Sequence, residues 1–454
     1  MVGRRCSRSF SAGALLNFGF LELKMNKYNA LKKLKVLLVS TNFCRADEVR
    51  TPYGITCLVN AFRQGKNNGS IETLTYDLNG HFSENLGKFC INYEKTAALI
   101  AEKIIENGCN IAAFSVFAWS DELFKKTMAI LGSCKKRPII VMGGPMVCGG
   151  LKTLRKEYSF ADFFIESYGE KVFSNLGEYL SGAEKSGNLL IKDLPVFEEL
   201  TSPYLSDLIP LKEGMTVRME LRRGCLFNCS FCRHRNPEKK VFCIGCMVDH
   251  RQELMLFKAA KVRKINVLDP YFNDGRKDFK GISLEFLKLL KELKITADVS
   301  LQIRPEVLTD EYLDIAETMP NIIFEIGVQS LDDNVTTVIN RGGNNRKVVE
   351  KLTEVAKRGI RTELTLIYGL PHQTAESFRN DINFLKTFGF SKITAFPLQI
   401  YRGTKMFDEY KDFELKVKPN DLCIFEVCDN PTHDIEEMRK IACLLLECPK
   451  DAAA

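Results

Sequence analysis

The sequence lacks any apolar run long enough to cross a bilayer, so a helical membrane protein is excluded and a soluble one expected. It also lacks a basic tract. Net charge is +7, but Lys and Arg are interleaved with Asp and Glu, which leaves no electrostatic footprint for nucleic acid. Low-complexity tracts and short-period repeats are missing as well. There is no convincing secretory signal: residues 1–24 carry Arg4, Arg5 and Arg8 and a semi-apolar stretch from Phe10 to Leu21. Glu22-Leu23-Lys24, however, offers no small-residue cleavage site. We expect 1–24 to be an unstructured extension (a transit peptide or amphipathic arm being the alternative), with the fold beginning near Met25.

What the chain has in quantity is cysteine, 16 in 454 residues. Without a secretory signal these read as reduced thiols in a cytoplasm rather than as a disulfide framework. The length allows two or three domains, and 45% apolar with 27% charged residues is ordinary for a globular protein.

Strand-length apolar runs recur at Lys35–Ser40, Glu72–Tyr76, Ile111–Ser115, Ile139–Gly143 and Ala161–Ile165. Amphipathic stretches at Glu94–Glu106 and Asp121–Leu131 lie between them, a pattern that predicts a doubly wound α/β domain over 25–185. Leu194-Pro195, Ser202-Pro203 and Ile209-Pro210 then mark a linker over 186–215. Alternation resumes with Thr216–Leu221, Lys264–Leu268, Ala297–Leu301, Ile322–Gly327, Glu363–Tyr368 and Lys392–Leu398. Helical patterns separate these six runs, which predicts a partial (β/α)6 barrel over 216–405. A tail over 406–454 holds one helix, Ile435–Glu447.

The first barrel strand runs into Cys225-Leu226-Phe227-Asn228-Cys229-Ser230-Phe231-Cys232. Random placement of the cysteines would yield C-x3-C-x2-C about 0.02 times per chain, so coincidence does not explain it. Cys243-x2-Cys246 carries no such weight, since any C-x2-C is expected roughly 0.6 times. Three thiolates on one loop can hold three corners of a cubane cluster and leave one iron open. A zinc site or three buried thiols are the alternatives.

This motif, with the aromatic Phe231 before its last cysteine, resembles the cluster motif of the radical S-adenosylmethionine (SAM) superfamily. Asp269-Pro270-Tyr271-Phe272-Asn273, Arg304-Pro305-Glu306, Glu325 to Ser330, Gly369-Leu370-Pro371 and Leu398-Gln399 resemble its cobalamin-binding, class B methyltransferase-like branch. The resemblance implies a [4Fe-4S] cluster on Cys225, Cys229 and Cys232, which are then both the metal ligands and the catalytic residues. It implies reductive cleavage of SAM to a 5'-deoxyadenosyl radical, and methylation of an unactivated substrate carbon by way of methylcobalamin. A flavodoxin- or ferredoxin-type reductase would supply electrons, and the substrate would be a small molecule or peptide. Phe231, Asp269, Asn273, Arg304, Gln329, Ser330 and Gln399 then read as the rim that holds SAM. As polar groups where apolar strands end, all but Phe231 suit ribose hydroxyls or a carboxylate. His372 departs from the family pattern, standing where Gly is usual.

In a doubly wound sheet, ligands bind at the carboxyl ends of the strands. Those ends carry Pro52 and Gly54, Ser115 to Trp119, Gly143-Gly144, and Glu170. Alone they would suit flavin or nucleotide equally well. The runs 114–119 and 141–145 resemble the cobalamin domain paired with this radical SAM branch, so Pro52, Gly54, Ser115, Trp119, Gly143, Gly144 and Glu170 are its implied contacts. No Asp-x-His-x-x-Gly motif is present, which implies a lower cobalamin face without a histidine ligand. Two other functions stay open: radical rearrangement, cyclisation or oxidation without methyl transfer, and a non-catalytic cobalamin or redox regulator. A tRNA methylthiotransferase is disfavoured, because neither its extra three-cysteine site nor its terminal RNA-binding module is apparent.

Overall fold

The computed structural model describes residues 33–43, 53–83, 88–235, 238, 240–273, 281–342, 344–390 and 392–446. The 1–24 extension, Pro52 and the last residues of the tail lie outside these.

The first set of apolar runs forms one parallel sheet. Its strands are β1 (Leu34–Asn42), β2 (Gly69–Asp77), β3 (Ile111–Ser115), β4 (Ile139–Gly143), β5 (Phe163–Ile165) and β6 (Leu190–Ile191), in the order β2-β1-β3-β4-β5-β6. Alternation along β1 decides which core each side chain joins. Leu34, Val36 and Leu38 pack with α1 (Tyr53–Gln64), α5 (Glu170–Ser174) and α6 (Leu176–Ser186). Leu37 and Val39 pack on the other face with α2 (Tyr93–Asn107), α3 (Asp121–Ser133) and α4 (Gly150–Glu157). The sheet is thus covered on both faces. Its last strand falls within the stretch whose prolines suggest a linker.

The second sheet is a six-stranded open barrel. Its strands β7 (Thr216–Met219), β10 (Lys264–Val267), β11 (Asp298–Ile303), β12 (Ile322–Gln329), β13 (Thr362–Tyr368) and β14 (Lys392–Pro397) lie in chain order, all parallel. Helices α7 (Met247–Ala259), α8 (Ile282–Glu292), α9 (Asp310–Glu317), α11 (Asn345–Lys357) and α12 (Ala375–Lys386) cover its outer face. Phe257, Phe286, Phe324 and Phe378 are fully buried there, each contributing about 2–3 kcal/mol by leaving water. A two-strand ribbon of β8 (Arg222–Arg223) and β9 (Phe242–Cys243) follows β7, and a short helix α10 (Asp333–Val338) follows β12.

The tail differs from expectation. Besides α14 (Ile435–Leu446) it carries a hairpin of β15 (Lys416–Pro419) and β16 (Phe425–Asp429), preceded by α13 (Lys405–Glu409). Val427, Ile435, Met438 and Ala442 join the barrel core, so the tail closes the side that β14 would leave open.

Candidate active site

Beyond β7 the chain turns at Gly224, which adopts φ +94°. A Cβ there would lie 2.3 Å from the Lys240 carbonyl, so only glycine lets the loop pass the returning chain. Cys225 and Cys229 are buried and Cys232 is half-buried. The loop backbone is tied down. The Ser230 N–H donates to the Ile339 carbonyl at 2.8 Å, and the Ser230 carbonyl accepts from the Met406 N–H at 2.8 Å. Burial pushes the Cys232 thiol up to about 11, with Cys229 and Cys225 near enough to add to the rise. Among the described residues no three His, Cys, Asp or Glu side chains are arranged to hold a single metal ion.

Arg304, at the end of β11, reaches this loop. Its Nη1 lies 3.6 Å from the Cys229 sulfur and its guanidinium 3.8 Å from the Phe227 ring centre. Its Nη2 donates to the Glu306 carboxylate and to the carbonyls of Arg341 and Gly342, the last two at 2.8 Å. Asn273 fixes the Arg304 backbone from both sides, donating to its carbonyl at 2.8 Å and accepting from its N–H at 2.9 Å.

The other predicted rim residues divide. Asp269 is fully buried and accepts from the Leu221 and Arg222 N–H groups at 2.8 and 3.1 Å. It also pairs with the buried Arg222 side chain at 3.3 Å, and Arg222 in turn donates to the Tyr271 and Phe272 carbonyls. Asp269 and Asn273 therefore shape the rim from within. Ser330 is buried too, donating to Asp381 at 2.8 Å. Gln329 ends β12 at φ +70° beside a bulge, and its Oε1 is buried without a partner among the described residues. A non-glycine residue at that φ stores strain that the fold must hold in place. Gln399 donates to Glu426 at 2.9 Å and accepts from the Tyr401 hydroxyl, joining β14 to the tail hairpin. Phe231 is half-buried against the barrel core. Cys243 lies in β9, and Cys246 caps α7 with its sulfur 3.2 Å from Asp249.

The first sheet reverses direction between β1 and β3, the crevice where such folds bind ligands. Ser115 ends β3, and Trp119 follows, stacked on Phe117 at 4.7 Å. The Trp119 indole N–H and the Thr41 hydroxyl are buried with no partner among the described residues, free donors for a ligand on this edge. Gly54 has open space where a Cβ would stand, and a Cβ at Gly143 would make ordinary contacts, the nearest with the Ile165 carbonyl at 3.7 Å. Gly144 serves the fold instead: at φ +99° its Cβ would lie 2.7 Å from the Val116 nitrogen. Glu170 is buried and pairs with Arg223 at 2.7 Å, an ion pair between the two sheets, while its Oε2 has no partner among the described residues.

Sequence reading missed the arginines that join the halves. Arg223, two residues before Cys225, holds Glu170 and also Glu220 at 2.7 Å. Arg233, one residue after Cys232, donates to the Pro145 carbonyl and, at 3.1 Å, to that of Arg402. Arg402 reaches Asp121 at 3.1 Å, the Tyr158 hydroxyl at 2.8 Å and Glu157 at 2.9 Å. The cysteine loop is thus bracketed by arginines anchored on loops at the carboxyl edge of the first sheet. Between the halves lies a cavity of about 410 Å³ lined in part by Tyr53, Cys57, Glu170, Glu220, Arg223 and His250.

Residues 219–385 match the family model described as the radical SAM superfamily. Among curated proteins, the tRNA-2-methylthio-N(6)-dimethylallyladenosine synthase of Buchnera aphidicola subsp. Schizaphis graminum is 26% identical over 368 residues, 77% of this chain and 79% of that protein. Among solved structures, the cobalamin-dependent S-adenosylmethionine radical enzyme OxsB matches with TM-score 0.64 and 14% identity over 91% of this chain and 67% of that one. The radical S-adenosylmethionine methyltransferase TsrM from Kitasatospora setae matches with TM-score 0.57 and 13% identity over 82% and 77%. The segment that matches the radical SAM superfamily model, residues 219–385, holds the three-cysteine loop and most of the open barrel.

Proposed function

We propose that the chain is a cobalamin-dependent radical SAM enzyme that methylates an unactivated carbon. The observation that carries the reading is the three-cysteine loop, bracketed by Arg223 and Arg233 against the ligand-binding edge of the first sheet. Cys225, Cys229 and Cys232 would hold a [4Fe-4S] cluster with one open iron, which would supply the electron for reductive cleavage of SAM, and the first sheet would hold cobalamin, which would supply the methyl group.

The residues divide that work. Gln329 offers its unpartnered amide oxygen to the ribose hydroxyls or amino group of SAM, and strand geometry rather than a flexible side chain fixes its direction. Asn273 and Asp269 hold the loops on which that pocket rests. The unpartnered Trp119 indole N–H and Thr41 hydroxyl would be donors to cobalamin bound on this edge. The Arg223, Arg233 and Arg402 contacts fix the spacing of the two cofactors. A one-electron donor of flavodoxin or ferredoxin type would dock outside. The substrate would be a small molecule or peptide. No described helix is long and apolar enough to cross a membrane.

A second reading, methylthio transfer, is favoured by the sequence similarity to the Buchnera synthase. One experiment separates them. Reconstituted protein, dithionite and SAM should yield 5'-deoxyadenosine, and Cys225→Ala, Cys229→Ala or Cys232→Ala should each abolish it. With cobalamin and substrate, S-adenosylhomocysteine should form alongside, with two SAM consumed per methyl transferred. Cleavage surviving in any cysteine variant removes the cluster assignment, and sulfur insertion into the product would establish the second reading.

A further inference from the structure

The sulfur of Cys229 is met by two guanidinium groups, Arg304 Nη1 at 3.6 Å and Arg341 Nη1 at 3.9 Å. They arrive from different elements, Arg304 from the end of β11 and Arg341 from the turn after α10. Both are held. Arg304 is buried, stacked on Phe227 and bonded to two carbonyls, while Arg341 Nη2 donates to the Gly327 carbonyl. Among the described residues, the one carboxylate bonded to the pair is Glu306, which takes Arg304 Nη2. Two cations against one anion leave a net positive charge at the sulfur.

We propose that Arg304 and Arg341 raise the reduction potential of the cluster by acting through Cys229, a role that rests on the reading that Cys225, Cys229 and Cys232 hold a [4Fe-4S] cluster. Reduction adds one electron, from a low-potential one-electron donor, and no bond forms or breaks. The reduced cluster with its thiolates carries one more negative charge than the oxidised one. Hydrogen bonds to a ligand sulfur and nearby cations therefore stabilise it more. Around a buried sulfur that effect is weakly screened. Neutralising Arg341 should cut the ratio of reduced to oxidised cluster at a fixed potential by about tenfold, equivalent to about 59 mV for a one-electron couple. Neither guanidinium is assigned a bond to SAM in this role, so both are positioning and tuning groups.

The test is a redox titration, read by electron paramagnetic resonance, of reconstituted protein without SAM. Arg341→Gln should retain wild-type iron and sulfide but titrate at lower potential, with Arg341→Lys between the two. Glu306→Gln should move the midpoint the opposite way, upward, which damage to the loop alone would not do. An Arg341→Gln midpoint equal to wild type overturns the proposal. Should that variant fail to load a cluster, Glu306→Gln decides, and an unchanged or lower midpoint overturns it. Wild-type protein that loads no cluster would instead sink the underlying reading.

Discussion

Asp269 shows how a residue picked for its position can serve the site without facing it. It ends an apolar strand, as a ligand contact would, yet it is fully buried and holds the equally buried Arg222. Removing it strands a charge, so Asp269→Ala should cost about 3–5 kcal/mol. Urea unfolding would show this, and a loss under about 1 kcal/mol would contradict it. Asp381, beneath Ser330, predicts a pH dependence. Burial pushes its carboxyl up to about 6, against hydrogen bonds from the Leu331 N–H and the Ser330 hydroxyl that pull it down. A carboxyl raised in the folded state contributes stability that is fully present below about pH 4 and is lost as pH rises through about 6. Asp381→Asn cannot ionise, so its melting temperature should gain on wild type between pH 4 and pH 8. A constant difference across that range would contradict the assignment. At this scale the cysteine spacing was legible because three cysteines share eight residues. Arg304 and Arg341 were not legible as a pair, since only the fold brings both to Cys229. His372 was a legible departure with a visible consequence: it adopts φ +63°, the region where the family's glycine is at ease.

At the scale of elements, period-two and period-3.6 apolar patterns located eleven of the strands, and the helices between the barrel strands, to within a few residues. The pattern failed where packing rather than periodicity makes the element. Helix α1 mixes the β-branched Ile55, Thr56 and Val59 with polar residues and is held by burying Ile55, Val59 and Phe62 under the sheet. The tail hairpin is short and mostly exposed on β15, so it left little apolar signal. The loop brackets were illegible for the same reason as the arginine pair. Their effect should be measurable. Arg402→Ala removes a contact to Asp121, Glu157 and Tyr158 on the first sheet's helices. Amide hydrogen exchange should then quicken at 144–149 and 398–404 while the barrel core keeps its protection. Uniform quickening, or none, would mean that Arg402 does not join the halves.

At the scale of the molecule, two sheets with different topologies turn ligand-binding edges toward one seam. The first reverses strand order between β1 and β3, and the second runs in chain order and carries the cysteine loop at its first strand. On the proposed function, such an arrangement would bring a one-electron cluster and a large planar cofactor close together, which neither sheet could do alone. Fold class could be read from the sequence. The seam could not, because its arginines sit outside any motif. The most direct test of the two-cofactor account is iron, sulfide and cobalt content per chain after anaerobic reconstitution with cobalamin. Wild type should carry the iron and sulfide of one [4Fe-4S] cluster and one cobalt, and the Cys225→Ala/Cys229→Ala/Cys232→Ala variant should lose the iron but keep the cobalt. Iron for a second cluster with no cobalt, or cobalt lost together with the cysteines, would contradict it.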